Sequence, residues 1–304
     1  MGQNIAGTIP TELAALPLIQ SISLGFNAFS GTLPIAFVLP GSARHLLNLE
    51  VHGNFLTGTI PSEYYQATGL QNWNIGENLF SGTLSTEIGR LTNLKGFHAF
   101  NNMFTGTFPT EIGRLEYLSF TRHQENMYSG TIPSELGELI LLQELLLFSN
   151  QFTGTIPSEL GKASDMVYLE LNWNMLVGTI PSEFYLWPSL YRLDLFQNYL
   201  NGTIATEIGL LSNLRELRLS RNEFSGTIPL EVANITGMKL AWFHSNNFVG
   251  SVPSGLCKYV PNPLIVLQGD CFPEGNPPNP CECCTSCCNR DTEVCLVIDD
   301  NNAP

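Results

Sequence analysis

The sequence predicts an α/β solenoid, a stack of short units that each add a strand to a parallel sheet and close on a short helical turn. Three observations predict it. First, Gly-Thr followed by an apolar residue, and usually Pro, recurs at Gly7, Gly31, Gly58, Gly82, Gly106, Gly130, Gly154, Gly178, Gly202 and Gly226, with Gly-Ser at Gly250; nine of the ten spacings are identical. A fixed period of this length marks units that cannot bury an apolar face alone and so stack on their neighbours. Second, within each period a pair such as Leu145 and Leu147 has the alternation of a strand with one buried face. Third, hydrophobic residues make up 43% of the chain and charged residues 13%, enough for one continuous core under a surface of Asn, Ser, Thr and Gly. The solenoid is assigned to residues 1–272 and a Pro-linked, Cys-rich tail to 273–304.

Each position in the unit then has a reason. Leu142, Leu145, Leu147, Phe152, Ile156 and Leu160 face inward. An Asn precedes each Gly at a fixed offset from Asn27 to Asn246, and a column of amides, each able to donate and accept, satisfies turn backbone inside the stack. The one longer spacing, between Gly31 and Gly58, places a bulged loop at Pro40-Gly41. After Gly-Thr-Ile-Pro, the Ser-Glu and Thr-Glu pairs predict a helical turn capped by the hydroxyl, with Glu in its first turn and Gly137, Gly161 or Gly209 ending it. Asp270, one period after Asn246, marks a last incomplete unit whose strand positions are Ile265 and Leu267. Thr121 and His123 break the inward apolar pattern. Either that strand slips and turns Phe120 inward, or His123 is a satisfied core histidine.

The net charge of −14 is mostly scaffold. Glu fills one column nine times, at Glu12, Glu63, Glu87, Glu111, Glu135, Glu159, Glu183, Glu207 and Glu231; without those nine charges the net is −5. No basic stripe suggests nucleic acid. No nucleophile elbow, kinase glycine loop or His-Glu-x-x-His is present, so no catalytic residue, cofactor or metal site is assigned. No basic-then-apolar leader follows Met1 and no apolar run is long enough to span a membrane. With every cysteine at or beyond Cys257, the chain reads as a fragment of a larger extracellular protein.

Residues 142–161, LQELLLFSNQFTGTIPSELG, resemble the plant-type leucine-rich repeat, and the resemblance runs from residue 1 to about 272. It implies a right-handed solenoid with a concave parallel sheet and helical turns on the convex side. It also implies an extracellular or cell-surface recognition domain, as in receptor kinases, receptor-like proteins and secreted polygalacturonase inhibitors. Such domains carry paired-cysteine caps, and an N-terminal one is missing here. The Gly-Thr-rich repeats with a Cys-dense tail are also similar to leucine-rich-repeat proteins of diatoms.

In that family the concave face takes the ligand. The outward positions here are Phe148, Tyr168, Glu170, Trp173, Arg192, Asp194, Phe196, Tyr199, Arg218, Arg221 and Trp242, a set rich in the aromatic and Arg residues of binding hot spots. The N-terminal counterparts Ser21, Ser23, Asn72, Asn74 and Gly76 are small and polar. The competing reading is cross-strand stacking that serves the sheet alone.

A second surface is the hydroxyl lattice beside each Gly, with pairs such as Ser30 and Thr32 or Thr105 and Thr107; it resembles the Thr arrays of ice-binding solenoids. In the tail, pairing of Cys257 with Cys271 would staple the end of the core. Cys281, Cys283, Cys284, Cys287, Cys288 and Cys295 form disulfides of open connectivity, with zinc or copper thiolates the alternative. Asn201 and Asn234 head N-glycosylation sequons.

The resulting expectation is a non-enzymatic recognition module binding a protein, peptide or glycan, with no nucleic-acid partner. A receptor role implies a membrane tether outside this sequence. The alternatives are a structural or adhesive cell-surface protein and, behind it, an ice-surface binder.

Overall fold

The computed structural model describes residues 3–16, 18–39, 45–259, 266–272, 286–289 and 295–297. The chain forms two compact units, Met1–Phe152 and Thr153–Pro304. Both are built from one repeat: a short strand, a tight turn, a second short strand and a 3-10 turn.

In the first unit the leucine strands Ser21–Ser23, Asn48–Glu50, Asn72–Asn74, Gly96–His98, Phe120–Arg122 and Glu144–Leu146 pair in parallel where successive copies meet. The Gly-Thr segments form a second parallel ladder, from Ala6–Thr8 through Ala28–Gly31, Phe55–Gly58, Leu79–Thr83 and Met103–Thr107 to Met127–Thr131. In the second unit Tyr168–Glu170, Arg192–Asp194, Glu216–Arg218, Leu240–Trp242 and Val266–Phe272 continue the first pattern. Met175–Gly178 with Tyr199–Leu200, and Ser225–Gly226 with Asn247–Phe248, carry the second.

The central residue of each leucine strand is buried, completely so at Leu145, Leu169, Leu193 and Leu217. Beneath the Gly-Thr ladder the rings of Phe80, Phe104, Tyr128 and Phe152 stack near-parallel at 6.4, 6.1 and 6.3 Å.

The Asn column works as a clamp between repeats. Asn126 Oδ1 accepts from the Phe104 N–H at 3.0 Å, and Nδ2 donates to the carbonyls of Ala99, His123 and Gln124 at 2.9, 3.2 and 3.2 Å. The residue before each Asn adopts a left-handed backbone, with φ between 48° and 57° at Phe26, Glu77, Asn101, Glu125, Ser149, Trp173, Gln197, Arg221 and Ser245. Among the described residues, Gly53 is the one in this column with a left-handed φ and no side-chain penalty.

The Gly of Gly-Thr has two reasons to be glycine. Its φ lies between 73° and 106° in all copies, and a Cβ on Gly202 would stand 2.7 Å from Thr179 Cγ2. The Thr methyl of one repeat therefore leans into the notch left by the glycine of the next.

The helical turns differ from expectation in two respects. They are 3-10 turns whose N-cap is usually Pro, or Ala205 in one copy, and neither carries a side-chain acceptor; Ser134 and Thr206 instead donate to Glu135 and Glu207 at 3.3 and 3.1 Å. Where Pro gives way to Ser85, its hydroxyl does cap, accepting from the Glu87 N–H at 3.2 Å. Gly161 and Gly209 do not take the left-handed conformation of a helix stop. They are small because the next repeat packs there, a Cβ on Gly209 falling 2.6 Å from the Glu231 carbonyl oxygen.

The strand bearing Thr121 does not slip. Phe120, Thr121 and Arg122 pair with Gly96, Phe97 and His98 in normal register, and Thr121 and His123 are fully buried. His123 Nδ1 meets the Tyr128 hydroxyl at 3.3 Å, between the edges of Phe97 and Phe108. At the C-terminal end Ala241 pairs with Leu267 and not with Ile265, so Phe272, in place of Asp270, falls in register with the Asn column. The chain stays extended there from Val266 to Phe272. Backbone from the Cys-rich tail then adds Ser286–Asn289 in parallel and Cys295–Val297 antiparallel. The Pro40-Gly41 loop and Cys281, Cys283 and Cys284 lie outside the described residues. Only the backbone is described for Cys257, Cys271, Cys287, Cys288 and Cys295.

Candidate recognition surface

The outward side chains of four successive repeats in the second unit form one connected cluster. Its aromatic part begins at Trp173, 49% exposed, whose ring meets Phe196 edge-on at 5.5 Å. Phe196 meets Trp242 at 6.0 Å across two repeats. That reach is possible because Ser220, small and fully buried, occupies the intervening repeat in the column that holds Phe196. The Arg221 guanidinium lies 5.5 Å from the Phe196 ring centre, Arg218 4.8 Å from Trp242 and Arg192 5.9 Å from Tyr168, within the range of cation–π attraction. Tyr191 adds a tilted contact to Tyr168 at 5.6 Å.

The charged part is an alternating network. Arg192 bridges Glu170 at 2.7 Å and Glu216 at 2.9 Å, while Arg218 bridges Asp194 at 2.9 Å and Glu216 at 3.1 Å. Arg221 donates to Gln197 at 3.2 Å. Because cross-strand neighbours share partners, the long side chains are held in fixed rotamers before any ligand arrives, which lowers the ordering cost of binding. Asp194 departs from the rest. It is only 2% exposed and accepts from the Phe196 N–H at 3.2 Å, and burial, outweighing the attraction of Arg218, pushes its carboxyl up to about 6.

The structure thus brings together Tyr168, Glu170, Trp173, Arg192, Asp194, Phe196, Arg218, Arg221 and Trp242. Tyr199 stands apart: it is 53% exposed but lies on the Gly-Thr-side strand Tyr199–Leu200. Phe148 is half-buried and belongs to the first unit. Sequence reasoning missed the left-handed column that sets Trp173 and Arg221, the part of Tyr191 and the spacing role of Ser220. Gly53 was the one signal for the first, and the small residue in an otherwise larger column the signal for the last.

In the first unit the same face carries polar pairs: Asn72 donates to Asn48 at 2.7 Å, Ser23 to Glu50 at 2.9 Å, and Arg122 pairs with Glu144 at 2.6 Å. There burial lowers the His98 imidazole to about 4, with Arg122 and His52 adding to the shift, and burial together with His98 lowers His123 to about 3.

On the Gly-Thr side the hydroxyl lattice is only half free. Thr8, Thr32, Thr59, Thr83, Thr107, Thr131, Thr155, Thr179, Thr203 and Thr227 are exposed. The hydroxyl before Gly is turned onto the previous repeat, as in Thr57 to Gly31 at 3.2 Å, Thr105 to Gly82 at 3.3 Å and Ser225 to Gly202 at 3.3 Å. The sequon residues Asn201 and Asn234 are both exposed. Among the described residues no three His, Cys, Asp or Glu gather to hold a metal ion, and no helix is long and apolar enough to cross a membrane.

Comparison with known proteins agrees with this architecture. The family described as Leucine Rich Repeat matches residues 141–163 and 213–235. No curated protein matches the sequence. Among solved structures, the plant peptide hormone receptor RGFR1 in complex with RGF2 is 32% identical with a TM-score of 0.79, covering 83% of this chain and 40% of that one. The Arabidopsis receptor kinase HAESA ectodomain, in complex with an N-terminally extended IDA peptide hormone, is 27% identical with a TM-score of 0.73 over 88% of this chain and 48% of that one. A plant ice-binding protein is 22% identical with a TM-score of 0.56 over 82% of this chain and 71% of that one, a likeness of fold alone. The chain spans less than half the length of the two receptor structures. Its repeats are leucine-rich repeats, stacked as in plant receptor ectodomains.

Proposed function

We propose that this chain is a non-enzymatic, extracellular recognition module of a receptor-like or secreted protein, taking a protein, peptide or glycan ligand on the leucine-strand face of its second unit. The observation that carries the reading is the pre-ordered cluster of Trp173, Phe196 and Trp242 with Arg192, Arg218 and Arg221. Aromatic and Arg side chains in such clusters supply most of the binding energy at protein interfaces. The peptide ligands named for the similar receptor structures support the same direction.

Trp173 allows recognition to be separated from folding, because its backbone φ of 56° suits glycine better than tryptophan. Trp173→Gly combined with Phe196→Ala is expected to weaken ligand binding by at least about 2 kcal/mol. Trp173→Gly alone should change unfolding free energy by no more than about 1 kcal/mol, relief of left-handed strain offsetting the lost ring contact. Binding by calorimetry beside urea unfolding checks both; retained binding with a large stability loss would assign the cluster to the sheet.

The exposed Thr column carries a second reading, adhesion to an ordered surface such as ice. With the hydroxyls before Gly bonded to backbone, no thermal hysteresis is expected at millimolar protein, and a measurable freezing gap would move function to the Gly-Thr side.

A further inference from the structure

The Gly-Thr ladder of the first unit carries an apolar row that neither the core nor the proposed recognition face uses. Strand alternation buries Leu56, Phe80, Phe104 and Tyr128, so the residue before each points out. Those residues are Phe55, Leu79, Met103 and Met127, exposed by 57, 43, 41 and 39%. Single exposed apolar side chains are ordinary, but four at one position in successive repeats make a continuous stripe. Ala28 and Gln151 hold the same position in the flanking repeats and bound it.

Both borders of the stripe are rich in acceptors. On one side, two residues earlier in the chain, stand Glu77, Asn101 and Glu125, and neither carboxylate has an ion-pair partner among the described residues. On the other side Thr57, Ser81 and Thr105 donate to the Gly31, Gly58 and Gly82 carbonyls at 3.2, 3.5 and 3.3 Å, so their oxygens keep only acceptor capacity. No Lys or Arg lies in the Gly-Thr strands of this unit or in the turns that lead into them. A second copy of the chain would set like charge against like, whereas a cationic, donor-rich partner complements both borders.

The step of the row selects the partner's conformation. The rings of Phe80, Phe104, Tyr128 and Phe152, each next in sequence to a position of the row, are 6.4, 6.1 and 6.3 Å apart. An extended chain repeats the side chains of one face every 6.4 to 6.8 Å or about that. A helix comes near the step at every fourth residue, about 6.0 Å, but turns each successive side chain about 40° out of line.

We propose that this stripe docks an extended, cationic segment of a partner protein. Apolar side chains at its alternate positions sit on Phe55, Leu79, Met103 and Met127, and the Lys or Arg residues between them fold their long stems over the rim toward Glu77 and Glu125. The unbranched thioethers of Met103 and Met127 adapt to apolar groups of different shape. The site lies on another unit and another ladder than the proposed recognition face, so its failure leaves that reading untouched; the search for that face's ligand leaves this class of peptide out.

The test titrates the full chain, isotope-labelled at its methionine methyls, with a blocked nonapeptide of alternating lysine and leucine. The Met103 and Met127 resonances are expected to shift, while those of buried Met166 and Met238, and of Met175 in the second unit, stay in place. Leu79→Ser combined with Met103→Ser should weaken the peptide at least about tenfold. Glu77→Gln combined with Glu125→Gln should weaken it about threefold or more at low ionic strength and flatten its salt dependence. Neither pair alters a buried side chain, and an unchanged Met166 resonance reports that the fold is kept. A nonapeptide of alternating glutamate and leucine should bind at least about tenfold more weakly than the lysine peptide; equal affinity would overturn the proposal. Unmoved Met103 and Met127 resonances would overturn it too, as would full affinity in Leu79→Ser with Met103→Ser or tighter binding by a lysine and leucine peptide patterned for a helix. A dimer in sedimentation that the same double variant abolishes would give the stripe to a second copy and likewise overturn it.

Discussion

Asn198→Leu is expected to destabilise the second unit by about 3 to 5 kcal/mol, seen as a lower urea midpoint with an unchanged slope. Asn198 Oδ1 accepts from the Leu176 N–H at 3.0 Å, and Nδ2 donates to the carbonyls of Leu171, Leu195 and Phe196 at 3.0, 3.3 and 3.5 Å. Leucine is similar in size, so packing changes little, but one N–H and up to three carbonyls lose a partner in a buried setting. Each buried unsatisfied group costs about 1 to 3 kcal/mol, and the longest of these bonds contributes least. The same substitution at exposed Asn201 should fall within about 0.5 kcal/mol of zero. If both variants behave alike, the Asn column does not clamp successive repeats.

Acid is expected to weaken the fold by about 3 to 4 kcal/mol between pH 6.5 and pH 4. His98 and His123 are held to about 4 and about 3 in the folded chain, below the ordinary value of 6.5. Below pH 6.5 the unfolded chain therefore takes up protons that the folded chain refuses, and the stability these groups lend at neutral pH drains away, about 3 kcal/mol for each by pH 4. Asp194 acts in the opposite sense. Its carboxyl is raised to about 6 from 3.8, so as pH falls from 6.5 to 4 the folded chain binds the proton more readily and gains about 2 kcal/mol. Two histidines outweigh one aspartate. Denaturant unfolding as a function of pH checks the sum, and His123→Leu should remove about half of the histidine contribution, because loss of the Tyr128 contact lowers stability equally at both ends of the range. A variant with the same pH slope as the parent would contradict the assignment to His123.

Much of the architecture was legible because the period indexes every residue. The Leu145 and Leu147 alternation, the Asn column and the Gly-Thr strand each recur often enough that chance substitutions average out. What could not be read was geometry that no residue type encodes. Phe, Glu, Asn, Ser, Trp, Gln and Arg all stand at the left-handed position before Asn, so no consensus marks it, although Gly53 hints at it. Gly209 looked like a helix stop, yet its smallness answers to the Glu231 carbonyl of the next repeat. Ser134 looked like a cap, but the Pro before it had already taken the capping position.

The proposed recognition face was legible in composition and less so in detail. Outward positions follow from strand alternation, which found Phe196, Arg218 and Trp242; Trp173 has the parity of the buried Leu169 and Leu171 and faces out through its left-handed backbone. Alternation alone could not tell that Asp194 sinks beneath Arg218, since that depends on a partner one repeat away. Nor could it tell that Tyr199, just past the Asn turn, has already passed to the other ladder. Ser220 matters through what it leaves room for, and a small residue sends no chemical signal of its own.

We infer that the aromatic and arginine cluster of the second unit serves recognition and not only the sheet. The most direct measurement is backbone hydrogen exchange of the full chain with and without the first ligand found in a panel of peptides and oligosaccharides. Slowed exchange concentrated at Tyr168–Glu170, Arg192–Asp194, Glu216–Arg218 and Leu240–Trp242 is the predicted result. Slowing confined to the Gly-Thr ladder or to the Met1–Phe152 unit, with these four strands unchanged, would contradict it.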